Sequence, residues 1–243
     1  MPNTYFQFKQ FRIEQAQSGM KVTTDGCLFG AWVANELEKN EPEKILDIGT
    51  GTGLLSLMLA QKTINAKIDA VEINELAYRE ATLNFKNSKW RDRLSCYHTS
   101  VQDFMSDTKY DMIICNPPFF KDSQRGVDST KNQAVHSNNL KMEELLTQSL
   151  RLLNPNGHLY LLYPEREMNA FMKVSDEKIF PIHRVILRNQ KEQQVFRMMV
   201  RFSLIEKEET IAELIIRQKN RKYTPESWEL LKCYYLDYND PKF

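Results

Sequence analysis

Lys44-Ile45-Leu46-Asp47-Ile48-Gly49-Thr50-Gly51-Thr52-Gly53 is the stretch that decides the fold. A short apolar run, 44–48, passes without a spacer into a glycine-rich turn, and the turn opens a helical stretch at 54–61. Strand, tight turn and helix N-terminus in this order form a general nucleotide-binding device, because glycines let the backbone pass close beneath a ligand. A dinucleotide fingerprint requires G-x-G-x-x-G. Gly49 and Gly51 fit it, but the third position is Leu54 and the remaining glycine falls at 53. The glycine that permits close packing beneath a pyrophosphate is therefore missing, which favours a ligand without phosphates.

Outward from this stretch, short β-rich runs alternate with longer helical ones. Strands are expected at 44–48, 68–73, 94–98, 110–115 and 157–163, and helices at 54–61, 75–87, 140–153 and 165–174. Most of the strand runs are nearly continuous in apolar residues, as strands covered on both faces should be. The alternation predicts an α/β fold with a doubly wound, mainly parallel sheet. An extra helix is expected at 25–37. Two β-rich runs, 181–188 and 194–205, joined by the polar stretch 189–193, predict a C-terminal antiparallel hairpin closing one edge of the sheet. The stretch 211–217 suits a strand or a helix. Thr224 as a cap and Pro225 at the first helical position start a last helix that continues through 227–237. No linker divides the chain, so one domain is expected over 1–243: an N-terminal segment 1–40, a core 41–205 and an extension 206–243.

Composition narrows the class. Hydrophobic residues make up 42% and charged residues 27% of the 243 residues, as in an ordinary soluble globular protein. A formal net charge of +1 gives no global field toward nucleic acid, so an RNA partner would have to use a local patch. Lys121, Arg125 and Lys131 form one such cluster, and Lys219, Arg221 and Lys222 another; ordinary solvated faces are the alternative. Cys27, Cys96, Cys115 and Cys233 are scattered without a CxxC pair, which points to neither zinc nor a disulfide framework and fits a reducing cytoplasm. The first residues, MPNTYFQFKQF, contain no signal-peptide core, and no run approaches the roughly 18 apolar residues of a membrane span.

Two further motifs carry chemistry. Glu72 ends the second strand, where a carboxylate accepts hydrogen bonds from ribose hydroxyls; an exposed strand-end charge is the alternative. Asp103, after the third strand, lies where a side chain meets the base of the same nucleoside, or else caps a helix. The fourth strand ends in Asn116-Pro117-Pro118-Phe119. Strand ends on this side of an open α/β sheet bind ligands, and two prolines fix the backbone. The Asn116 amide oxygen and the Pro117 carbonyl then offer two acceptors to a conjugated NH₂ group. Two hydrogen bonds draw such an amine toward tetrahedral geometry and free its lone pair, so that positioning and hydrogen bonding suffice for catalysis. Phe119 is placed to stack on a base, worth about 1–3 kcal/mol.

The DIGTGTG turn, Glu72 and the NPPF tetrapeptide, in this order and spacing, resemble the class I AdoMet-dependent methyltransferases, with their Rossmann-like, seven-stranded sheet. NPPF is similar to the amino-methyltransferase branch, which includes adenine, guanine and glutamine-amide methylators. The segment 8–32, FKQFRIEQAQSGMKVTTDGCLFGAW, and the ending YTPE with LLKCYYL resemble the bacterial tRNA(Val) adenine methyltransferases, which modify the adenosine beside the anticodon. The resemblance covers nearly the whole chain. It implies S-adenosylmethionine as cofactor and cofactor roles for Asp47, Gly49, Gly51, Glu72, Asp103 and Asn116. It implies substrate roles for Asn116, Pro117 and Phe119. Lys21 is placed to meet the cofactor's carboxylate, with Gln15 and Thr24 as weaker candidates.

The stretch 120–139 is expected to be a lid over RNA, with Arg125 and His136 as substrate contacts. The family's basic pair in this loop is here a lone His136. The implied partner is tRNA, with no metal and no membrane, for a cytoplasmic monomer. Guanine methylation in rRNA, glutamine methylation in protein and a non-catalytic AdoMet-binding RNA module are the alternatives; an NAD-dependent oxidoreductase is disfavoured by Leu54 and by NPPF.

Overall fold

A computed structural model describes residues 3–37, 41–117 and 140–236. The chain opens with a small antiparallel hairpin, β1 (Tyr5–Gln7) and β2 (Arg12–Glu14), followed by helix α1 (Thr24–Leu37). Then come β3 (Lys44–Ile48), α2 (Leu54–Lys62), β4 (Lys67–Glu72), α3 (Glu75–Lys86), β5 (Leu94–His98) and β6 (Tyr110–Cys115). The second half comprises α4 (Met142–Leu152), β7 (Leu153–Tyr163), α5 (Glu165–Val174), β8 (Phe180–Arg188), β9 (Val195–Ser203), β10 (Thr210–Ile215) and α6 (Pro225–Leu231). Strands β3 to β10 form one sheet in the order β10-β8-β9-β7-β6-β3-β4-β5. Only β9 runs against its neighbours β7 and β8. The mainly parallel, doubly wound sheet and its C-terminal hairpin thus match the sequence expectation.

Strand side chains alternate between faces, and the alternation sorts the core into two layers. Ile45, Met112, Ile114, Tyr160 and Leu162 face one side with α1 and α2. Leu46, Ile113, Cys115, Leu159 and Leu161 face the other with α4 and α5. Because both faces are covered, the strands read as unbroken apolar runs.

Local chemistry fixes the ends of several elements. The Asn74 side chain caps α3 by accepting from Ala77 N at 3.0 Å, and Thr224 caps α6 by accepting from Ser227 N at 3.2 Å. The Arg93 guanidinium donates to the carbonyls of Ala60, Thr63 and Ala66 at 2.7–3.0 Å, binding up the last turn of α2 where a cation is favoured.

Three departures from expectation have physical causes. The unsettled stretch 211–217 supplies an eighth strand, β10, parallel to β8. The hairpin β8–β9 therefore does not close the edge; β10 lies outside it. The last helix stops at Leu231 instead of continuing to 237, because Tyr234 and Tyr235 are buried from a turn, with Tyr235 against Phe6 and Phe8. The N-terminal hairpin was not anticipated; the rings of Phe8 and Phe11 stack 4.5 Å apart at its turn. No helix among the described residues is long and apolar enough to cross a membrane.

Candidate active site

Sheet order reverses at β3, which has β4 on one side and β6 on the other. The carboxyl ends of strands at such a switch point form a crevice for ligands. Ile48 pairs with Cys115, so the glycine-rich turn after β3 starts directly beside Asn116 after β6.

The turn is tied down from beneath. Gly49 N and Thr50 N donate to Val71 O at 2.9 and 3.2 Å. Gly49, Gly51 and Gly53 all have positive φ. A Cβ at Gly53 would stand 2.5 Å from Phe85 Cε1, whereas a Cβ at Gly51 would meet no atom of the described residues within 4 Å. Gly53 therefore serves packing, and Gly51 borders open space above the turn.

Glu72 is 8% exposed. One of its oxygens accepts from Gly51 N and the other from Asn74 N, both at 2.9 Å. Each oxygen keeps acceptor capacity for a hydroxyl donor. Thr99 N donates to Glu72 O at 3.1 Å, which brings the turn after β5 alongside. In that turn Asp103 is exposed and accepts from Ser100 Oγ at 2.7 Å.

Asp47 is fully buried under the glycine turn, with Oδ2 accepting from Thr50 Oγ1 at 2.6 Å and Ser56 Oγ at 2.7 Å. Its Oδ1 has no partner among the described residues. Burial pushes its pKa from 3.8 up to about 6, against the lowering effect of the two hydroxyls and with added repulsion from Glu72. The folded state thus holds the proton more tightly than the unfolded chain. This contribution to stability is full below about pH 4 and is lost as pH rises through about 6. Asp47→Asn keeps an acceptor for the hydroxyls and cannot ionise. Its melting temperature should accordingly fall less between pH 4 and 6.5 than that of the native protein, by several degrees, since 1 kcal/mol moves Tm by about 2–4 °C in a chain of this size. Parallel pH profiles in a thermal melt would show that Asp47 titrates at an ordinary pKa.

Asn116 faces the crevice between α1 and the turn. Its Oδ1 is buried and has no partner among the described residues, while Nδ2 lies 4.0 Å from Met20 Sδ. A Cβ at Gly26 would come within 4.0 Å of the same Nδ2, so α1 packs its glycine against the amide. Pro117 is buried beside it. Phe119, Arg125, His136 and the stretch 120–139 lie outside the described residues.

The segment leading into α1 crosses near this crevice. The model of the methyltransferase small domain family matches residues 30–191, about two thirds of the chain. The chain belongs to this methyltransferase family. It is 40% identical over 241 residues to a protein of Christiangramia forsetii named tRNA1(Val) (adenine(37)-N6)-methyltransferase, covering 97% of this chain and 99% of that one. A protein of the same name from Dyadobacter fermentans is likewise 40% identical, with the same coverage of both chains. Among solved structures, the "predicted O-methyltransferase" of Agrobacterium tumefaciens shares the fold, with a TM-score of 0.66 at 16% identity, over 86% of this chain and 96% of that one.

In this methyltransferase the segment before α1 is held by residues that the sequence did not single out. Asn84 on α3 accepts from Glu14 N at 2.8 Å and donates to Glu14 O at 3.0 Å and Thr52 O at 2.9 Å. It thereby joins β2 to the glycine turn. One helical turn earlier, Glu80 accepts from Gln17 N at 2.7 Å and Ser18 N at 2.8 Å. Their i, i+4 spacing is visible in the sequence, but it reads equally as a solvated helix face.

Gln15 is buried, accepting from Val22 N at 2.8 Å, and both Gln15 and Lys21 donate to Asn3 O at 3.2 Å. Thr24 opens α1, while Thr23 Oγ1 accepts from Gly26 N at 3.2 Å. Arg197, at the start of β9, pairs with Asp25 at 3.2 Å and ties α1 to the sheet. Among the described residues, no group of three or more His, Cys, Asp or Glu could hold a metal ion.

Proposed function

We propose that this methyltransferase moves a methyl group from S-adenosylmethionine to the exocyclic amine of an adenine in tRNA, the adenosine beside the anticodon of tRNA(Val). The observation that carries the reaction type is the Asn116 carboxamide oxygen, buried and without a partner among the described residues at the switch point of the sheet. A buried acceptor left without a donor costs about 1–3 kcal/mol, and an amine N–H supplies the missing bond. The choice of adenine in tRNA rests on relatives matched over nearly their full length.

The residues fit the cofactor. Gly49 and Gly51 leave space that a side chain would fill, Glu72 offers two anchored oxygens to ribose hydroxyls, and the turn carrying Asp103 adjoins Glu72 for the base. Lys21 is the cation assigned to the carboxylate end. Asp47 supports the turn through Thr50 and Ser56. When bound, the cofactor supplies an electrophilic methyl on a sulfonium.

Asn116 Oδ1 and the Pro117 carbonyl accept from the two amine hydrogens and localise the lone pair that the ring otherwise delocalises. Phe119 stacks on the base, and Arg125 and His136 meet the RNA. The amine proton leaves to water. This chemistry requires no metal, and the proposed enzyme acts as a monomer in the cytoplasm, in one domain with 41–205 as its cofactor-binding core. A base in a tRNA loop is already partly unstacked, so presenting it costs less than the few kcal/mol paid in a duplex.

The test combines purified protein, labelled S-adenosylmethionine and bulk tRNA from cells lacking the gene, with nucleoside mass spectrometry. Adenosine methylated on its exocyclic amine is the expected product. Cofactor binding with blank tRNA would overturn the substrate assignment and turn the assay to guanine in rRNA and glutamine in protein.

A further inference from the structure

The ligand edge of the sheet extends well beyond the crevice. Strands β6, β7, β8 and β10 all run in one direction, so the chain leaving β8 and β10 emerges on the same edge as Asn116. After β10 the sequence reads Arg217-Gln218-Lys219-Asn220-Arg221-Lys222: four cations in six residues with no acid, in a chain whose net charge is only +1. The turn after β8 carries Lys191 opposite. Between the two turns lies a cleft of about 740 Å³, with Lys191, Arg217 and Lys219 in its walls.

Three acids also line it, and two of them are compensated locally. Glu213 pairs with Arg188 at 2.5 Å. Glu226 sits in the first turn of α6, where a negative charge is favoured. Glu192 is 83% exposed and lies 4.0 Å from Lys219, itself 92% exposed, a contact worth little.

The cationic turn is held in one shape. Gln218 N donates to Lys222 O at 2.8 Å and Arg221 N to Gln218 O at 2.9 Å. Arg217 Nη1 donates to Arg221 O at 2.8 Å, and its guanidinium lies 4.3 Å from the centre of the Tyr223 ring. Arg221 is held at φ 68°, a conformation that non-glycine residues seldom adopt. A turn already ordered loses less entropy when it binds a partner.

The turn is also connected to the crevice. Arg217 forms part of a second cleft of about 300 Å³, shared with Val22, Thr23 and Tyr223. Thr23 Oγ1 is 3.1 Å from a Cβ built at Gly26, which in turn is 4.0 Å from Asn116 Nδ2. Four strand spacings separate β6 from β10, about 19 Å at the usual inter-strand distance. A nucleotide held at Asn116 belongs to a polyanion whose flanking phosphates must lie somewhere along this edge.

We propose that the paired turns at 189–193 and 217–222 are a docking surface for the phosphate backbone of the substrate RNA, contacted by Lys191, Lys219 and Arg221. The proposal rests on an RNA substrate as argued above. Contacts of this kind set the position of the RNA and carry affinity without reading sequence.

The triple variant Lys191→Gln/Lys219→Gln/Arg221→Gln removes three exposed charges and no residue assigned to the crevice. Binding of tRNA is measured across a salt series, alongside S-adenosylmethionine affinity, kcat and KM. Each phosphate contact contributes roughly 0.7–0.9 to the slope of log K against log salt, so the slope should become shallower by about 2 and the affinity should fall about tenfold at low salt. KM for tRNA should rise in step, with kcat and cofactor affinity unchanged. Lys191→Arg/Lys219→Arg/Arg221→Lys should behave as the native protein. An unchanged slope and affinity in the triple glutamine variant would overturn the surface. Binding does not depend on methyl transfer, so the two readings separate. A shallower slope without methyladenosine formation upholds the surface and sinks the reaction, whereas methyladenosine formation with an unchanged slope does the reverse.

Discussion

Asn116→Ala is expected to lower kcat by about 100-fold or more, the usual cost of removing a preorganised hydrogen-bonding group, while leaving the dissociation constant for S-adenosylmethionine within about twofold. The carboxamide oxygen is buried beside the glycine turn, and no described residue donates to it. The amide nitrogen Nδ2 donates to Met20 Sδ at 4.0 Å, a contact too weak to matter for folding. Alanine there removes an acceptor and leaves no new buried polar group unpaired, so stability should hold or rise slightly. The missing acceptor matters only when the amine approaches tetrahedral geometry. The loss should therefore appear in kcat and kcat/KM together, about 2.7 kcal/mol for a hundredfold change. Isothermal titration with the cofactor, run beside single-turnover methylation, separates the outcomes. A parallel loss of cofactor affinity would move Asn116 into the nucleoside pocket, and unchanged kcat would remove it from the chemistry.

Where the sequence was legible, physics at the residue level made it so. Strands β3, β4 and β6 are covered on both faces and so advertise themselves as apolar runs, with the glycine turn and Asn116 at their carboxyl ends. Strand β10 is the counterexample. Four of its six residues are exposed, as on an edge strand, and the Ala-Glu-Leu within it suits a helix as well. The three-residue strands β1 and β2 are too short for alternation to register, although Ile13 within β2 and Phe8 just after β1 are fully buried.

The overrun of the last helix has a related origin. Leu231, Tyr234 and Tyr235 repeat at helical spacing, yet the two tyrosines reach the core from a turn after α6, where Tyr234 OH donates to Met58 O at 3.1 Å. Periodicity reports burial, and burial does not require a helix. In the site, the position of Glu72 at the strand end beside the glycine turn was legible because both belong to one local strand-turn pattern. Glu80 and Asn84 were not, because their role is to hold a segment some 60–70 residues earlier. The partner of Lys21 escaped for the same reason, since Asn3 O is brought to it by tertiary structure alone.

Gly51→Val is expected to weaken S-adenosylmethionine binding by 100-fold or more, about 2.7 kcal/mol, while the protein stays folded. The residue has φ 59°, and a β-branched side chain in that region costs about 1–3 kcal/mol. At about 2–4 °C per kcal/mol, the melting temperature should drop by several degrees. Among the described residues, a Cβ there meets no atom within 4 Å, so the first atom of the side chain adds no steric conflict beyond this backbone strain. The side chain must then enter the space above the turn, which is where the proposed nucleoside lies, and it disturbs the backbone N–H that holds Glu72 at 2.9 Å. Gly53→Val, two residues on, is the control with the opposite cause: its Cβ would overlap Phe85 at 2.5 Å, so it should lower the melting temperature far more than Gly51→Val does. Thermal melts establish which variant is folded, and equilibrium binding of the cofactor reads the cradle. If folded Gly51→Val bound S-adenosylmethionine within tenfold of the native protein, the space above the turn would not be the nucleoside site. Glu72 would then be an anchor of the turn and nothing more.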